Sequence, residues 1–158
     1  MSAFWINTRN FLIGVGLIAF IAFIFWAGSN FESKKITVAG HSLKVWIADD
    51  PAEQAKGLSG KEEMPTNRGM LFVMPVKDIT SFWMKDMKFS LDFIWIDNGT
   101  IVEIDQNIPP CENESDCPAI SPAYPVNYIL EVNSGWVTAN NISIGQSVTG
   151  LPDLGRYQ

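Results

Sequence analysis

Apolar positions fall into two regimes along this chain. From Phe11 to Ala27 the sequence reads FLIGVGLIAFIAFIFWA, seventeen consecutive positions without a polar side chain. The uncharged stretch around it runs from Asn10 to Phe31, about 33 Å as a helix at about 1.5 Å per residue. A bilayer's hydrocarbon core is about 30 Å thick, so the segment is long enough to span it. Trp5 and Trp26 flank it where interfacial aromatics sit. The length favours an uncleaved anchor, while Ala27-Gly28-Ser29 offers the small residues of a signal-peptide cleavage site and keeps that alternative open. Arg9 lies before the span and Lys34, Lys35 and Lys44 after it, so positive charge does not argue for a cytoplasmic N-terminus. The minimal tail ahead of the span and two close cysteines beyond it favour a domain outside the cytoplasm.

Beyond the span the pattern changes to short alternating runs separated by turn residues. Ile36 to Val38 and Leu43 to Ile47 predict a hairpin around Gly40-His41. Asp50-Pro51-Ala52-Glu53 predicts a helix start, with Asp as N-cap, Pro at the first helical position and an acid at the third; Gly57 and Gly60 end it early. Met70 to Met74 is an apolar run, and Ile79 to Met84 alternates. Leu91 to Ile96 and Ile101 to Ile104 bracket Asp97-Asn98-Gly99-Thr100, where Asn-Gly is a strong hairpin signal. Tyr128 to Val132, Trp136 to Val137 and Ser147 to Val148 complete the strand set. The expected fold is mainly β: a jelly-roll-like sandwich or partly closed barrel with one short helix, preceded by a single transmembrane helix. The domain plan is a tail over 1–10, a transmembrane helix or signal anchor over 11–29, a linker over 30–35, a β domain over 36–151 and a tail over 152–158.

Charge narrows the function. Arg9 is the one charged residue ahead of Glu32, so 10 of the 11 basic residues and all 17 acidic ones lie beyond the span, a net of −7. Such a surface repels phosphates, which excludes nucleic acid as an expected partner. The expected partners are the membrane, through the N-terminal helix, and either a small polar ligand or another protein.

One ordered set of motifs stands out: Gly57-Leu58-Ser59, Arg68-Gly69-Met70-Leu71-Phe72, Ser81-Phe82-Trp83-Met84-Lys85-Asp86-Met87, Leu91-Asp92-Phe93-Ile94, Leu130-Glu131-Val132-Asn133-Ser134-Gly135 and Gly145. This order resembles the DUF192 family, a prokaryotic domain without an assigned reaction, across about Ile36 to Leu151. The resemblance implies a β-rich, jelly-roll-like domain, often behind a signal or anchor, and implies no cofactor. Family members commonly carry Asn-Thr after the lysine of the FWMK piece and Pro before Leu-Asp; here Asp86, Met87 and Ser90 stand instead.

Candidate chemistry gathers at Arg68, Trp83, Lys85, Asp92 and Glu131. An aromatic platform at Trp83 beside carboxylates suits a polar ligand such as a sugar. The competing reading makes Lys85 and Asp86 a solvated turn and Asp92 a backbone pin. Glu131 faces opposite Leu130 and Val132; if that face is buried it needs a partner, with Lys85 and Arg68 the obvious ones. Asp92 and Glu131 together also suggest a small hydrolase using a carboxylate pair, provided the two converge. Cys111 and Cys117, in a proline-rich loop from Asp105 to Tyr124, are expected to form a disulfide in an oxidising compartment. Zinc would need four ligands, and His41, the only histidine, lies far off in a predicted turn, so no metal is expected. No nucleophile elbow or phosphate loop is present. The expected function is a membrane-anchored extracytoplasmic binding or accessory module, with the hydrolase as the alternative.

Overall fold

In the computed structural model, the described residues are 31–111 and 117–157. The expected span over 11–29 lies outside them, and among the described residues no helix is long and apolar enough to cross a membrane. Seven strands form the body: β1 (Ser33–Val38), β2 (His41–Ala48), β3 (Arg68–Asp78), β4 (Leu91–Asp97), β5 (Thr100–Ile108), β6 (Val126–Asn133) and β7 (Val148–Thr149). They make one sheet in the order β5-β4-β6-β3-β2-β1-β7. Pairing is antiparallel except between β2 and β3, which run parallel on either side of a helical crossover, α1 (Pro51–Lys56).

The sheet curls until its two edges nearly meet. β7 pairs with β1, while Ser147 bridges Thr100 at the start of β5 and Val148 N donates to Gly99 O. Of the two architectures expected, the partly closed barrel is the one found; the described residues hold a single sheet, not a stacked pair.

Local chemistry explains the boundaries. Ala39 and Gly40 both have positive φ, as do Asn98 and Gly99, giving two-residue turns whose twist matches the flanking strands. Asp50 Oδ1 accepts from Ala52 N at 2.8 Å and Glu53 N at 2.9 Å, and Glu53 Oε2 accepts from Asp49 N at 3.3 Å, so the predicted cap is present on both sides. Gly57, at φ 48°, terminates α1.

Two segments depart from expectation. Ile79 to Met84 is extended but joins no strand; one bridge, Phe82 to Ile120, ties it to another loop. Its alternation reflects Phe82 and Met84 packing inward on the core while Ser81 and Trp83 face water. Trp136–Val137 lies in a single helical turn, α2 (Trp136–Ala139), entered through Gly135 at φ 82°. In addition, β5 continues to Ile108, so the proline-rich loop begins at Pro109 and not at Asp105.

Both faces of the sheet are covered. The concave face carries Val45, Leu71, Ile94, Ile96, Leu130 and Val132. The outer face of β3, β6 and β4 carries Met70, Phe72, Phe93, Trp95 and Ile129 beneath a roof of α1 and the loops that follow it, joined by Met84 and Met87. Strands buried on both sides read as continuous apolar runs, which is why β4 and β6 lack simple alternation.

Candidate functional site

Antiparallel register assigns each acid to a face. Phe93 stands opposite Glu131, and Asp92 opposite Val132. Side chains alternate along a strand, so Glu131 points to the outer face with Phe93, and Asp92 points to the concave face with Val132. The two carboxylates do not converge, and the cleft that a carboxylate-pair hydrolase requires is not formed between them.

Asp92 is fully buried and fully used. Its Oδ1 accepts from Asn107 N at 2.9 Å and its Oδ2 from Val137 N at 3.1 Å. One side chain thus ties β4 to the end of β5, where Asn107 has φ 58°, and to α2. The backbone-pin reading applies.

Glu131 is different. It is 5% exposed, flanked across the sheet by Met70 on β3 and Phe93 on β4. Among the described residues no donor or cation reaches its carboxyl, and burial alone pushes that group up to about 8 from 4.5. At neutral pH it is therefore mainly the uncharged acid, the form a low-dielectric site tolerates.

The expected cationic partners are engaged elsewhere. The Arg68 guanidinium lies 5.0 Å from the centre of the Trp46 ring, which Lys61 Nζ approaches at 4.7 Å. Lys85 Nζ sits 5.6 Å from the centre of the Trp83 ring. Of the five predicted residues, Trp83 and Glu131 line a common cavity; Arg68, Lys85 and Asp92 do not.

That cavity, about 280 Å³, lies between the outer face of the sheet and its roof. Glu131, Phe72, Met74 and Leu91 form the sheet side; Gln54 to Ser59, the segment around Phe82 and Met87 form the rest. Trp83 is 60% exposed at its border, an unusual position for so large a ring. Phe72 and Phe82 are aromatic walls that meet edge-on at 4.8 Å; outside the lining, Phe82 meets Trp95 at 5.8 Å and Phe93 stacks on Trp95 at 5.9 Å. Trp95 Nε1 donates to Asp105 Oδ2 at 2.7 Å, which fixes that ring. Gln54 Nε2 donates to Val73 O at 3.0 Å and holds α1 over the sheet; Ser59 Oγ donates to Lys85 O at 3.1 Å and Gly60 N to Asp86 O at 3.0 Å, joining the two roof loops.

The lining residues Gln54, Phe72, Met74, Phe82 and Met87 were not among the predicted site residues. The one signal that could have pointed to them was the inward set of the 79–84 alternation. Cys111 and Cys117 are bonded as expected, with Cα atoms 5.2 Å apart. Residues 112–116 of their ring lie outside the described residues. His41 is exposed at the start of β2, and among the described residues no group of His, Cys, Asp and Glu is placed to hold a metal.

Comparison with known proteins assigns the chain to a family. The DUF192 family, described as an uncharacterized ACR, matches residues 34–150, and the chain belongs to it. A crystal structure of a candidate transcription regulator from Sinorhizobium meliloti 1021 is similar at TM-score 0.71 and 30% identity, covering 78% of this chain and 98% of that one. A protein of unknown function from Novosphingobium aromaticivorans DSM 12444 is similar at TM-score 0.71 and 29% identity, covering 78% and 89%. No curated protein matches.

Proposed function

We propose that this DUF192 member is a membrane-tethered module, displayed outside the cytoplasm, that binds a small ligand in the cavity between Trp83 and Glu131. The observation that carries the reading is Glu131: a carboxyl without a partner, 5% exposed and lining an aromatic cavity. Burying such a group costs free energy unless something hydrogen-bonds it, so a fold that needed only a core would be more stable with an apolar residue there. A cavity lined mainly by apolar side chains with a polar group at its base is the usual form of a small-molecule site.

Support for the location comes from the apolar segment over 11–29 and from the Cys111–Cys117 disulfide, a bond that persists in oxidising compartments. The acidic balance of the domain argues against direct contact with nucleic-acid phosphates, although one relative is described as a candidate transcription regulator. A hydrolase acting through Asp92 and Glu131 finds no support in their placement on opposite faces.

Binding is tested by a fragment screen on the full-length chain in detergent micelles, read on the methyl resonances of Met74 and Met87. Hits that shift both methyls and compete with one another support the site; a screen with no fragment perturbing either methyl removes it. Location is tested by labelling thiols on intact cells with and without reductant. Thiols that react only after reduction, without lysis, support it; thiols that react only after lysis contradict it.

A further inference from the structure

We propose that the cavity accepts a ligand bearing a basic nitrogen, whose ammonium group meets the Glu131 carboxylate while its apolar body lies against Phe72, Phe82 and Met87. The inference rests on the binding-site reading above and names the ligand class.

Four observations converge. The Glu131 side chain lines the cavity, and Met70 and Phe93, its cross-strand neighbours, offer it no donor. Among the described residues no cation forms an ion pair with it. Arg68 and Lys61 lie on Trp46, and Lys56, which lines the roof side of the cavity, has its Nζ 3.9 Å from where a Cβ on Gly60 would stand. Aromatic rings, which attract cations through their faces, line the cavity and its border; the Trp83 ring already has one ammonium, that of Lys85, 5.6 Å from its centre. The net −7 of the residues beyond the span draws cations toward the domain. An ammonium group brings both a charge and three donors to a carboxylate that otherwise has none, whereas a hydroxyl brings one donor and no charge.

Proton balance follows. In the free protein the carboxyl is held protonated by burial, so a cationic ligand binds with release of that proton to solvent. Among the described residues lining the cavity, Lys56 is the one other titratable group; β3 and β4 present only apolar side chains there, and the segment from Thr80 to Trp83 presents neutral ones. Between about pH 6 and 8 amine affinity should rise about tenfold per pH unit, because each bound ammonium displaces the Glu131 proton.

The test uses the full-length chain in micelles, labelled at the glutamate carboxyl carbon, with the Glu131 resonance assigned by its loss in Glu131→Gln. The probes are 2-phenylethylamine and its neutral isostere 2-phenylethanol. At about pH 6.5 the amine should move the Glu131 carbon to the carboxylate position while the alcohol does not, and Glu131→Gln should weaken the amine about tenfold or more while sparing the alcohol. If Glu131→Gln fails to fold, the pH dependence of amine affinity in the unmodified chain decides alone, since a flat profile contradicts proton release. Equal binding of alcohol and amine, or amine binding unaltered in Glu131→Gln, overturns the amine assignment but leaves the cavity as a site. Failure of both probes to perturb Met74 and Met87 overturns both.

Discussion

Replacing Glu131 with glutamine removes one titration while keeping shape, and its effect on stability has a definite sign. Burial raises the folded-state value to about 8, whereas the unfolded chain titrates near 4.5. Between those limits the folded protein holds a proton that the unfolded chain has lost. Stability from this group is therefore fully present below about pH 4.5 and declines as pH rises toward 8. At about 1.4 kcal/mol per pH unit, the loss between about pH 5 and pH 8 is about 3 kcal/mol. That is a large share of the roughly 5–15 kcal/mol that holds a typical domain together. All other carboxylates titrate alike in the two proteins, so the difference between Glu131→Gln and the unmodified protein isolates this one. Urea denaturation of the compact unit Phe31–Gln158, followed by circular dichroism across pH 5 to 8, provides the measurement. The variant should gain about 3 kcal/mol on the unmodified protein across that range. Parallel stability curves would refute the reasoning, since they would mean that Glu131 is ionised and compensated throughout.

Three further outcomes follow from the geometry. Asp92→Asn turns an amide N–H₂ toward one of the two backbone donors it now satisfies, and should cost about 1–3 kcal/mol by chemical denaturation without altering fragment binding at the cavity. Gly69→Ala would place a Cβ 2.7 Å from Glu131 O, a backbone atom that cannot step aside, and should cost about 2–3 kcal/mol or abolish folding as judged by thermal melting. Serine at both Cys111 and Cys117 opens a small ring and should cost about 2 kcal/mol in the same assay, with the cavity methyl resonances unmoved.

Much of the barrel was legible because turns and caps are local. Asn98-Gly99 and Asp50-Pro51 dictate backbone geometry without reference to the rest of the chain and sit where expected, while the turn expected around Gly40-His41 falls one residue earlier, at Ala39-Gly40, with His41 opening β2. The 79–84 segment shows where locality ends. Alternation reports that an extended chain lies on a core, and it reads the same whether the chain has sheet neighbours or a single bridge to Ile120. Trp136 and Val137 favour strands by propensity, yet Gly135 turns the chain and Asp92 captures Val137 N. The two acids looked alike in sequence, each in a hydrophobic run. Their separation depends on the register of β4 against β6, a long-range property, and one position of register is the whole difference between a bonded pin and an unpartnered cavity acid. The cavity itself draws on five separate stretches of chain, which no local pattern could unite.

Direct titration of the Glu131 carboxyl carbon by NMR, in ligand-free protein, tests the central claim without intermediary. The account predicts a midpoint about 8, with the acid form dominant at neutral pH. A midpoint near 4.5, the value of a solvated glutamate, would show that water or a cation reaches the carboxyl and that the unpartnered acid at the base of the cavity does not exist.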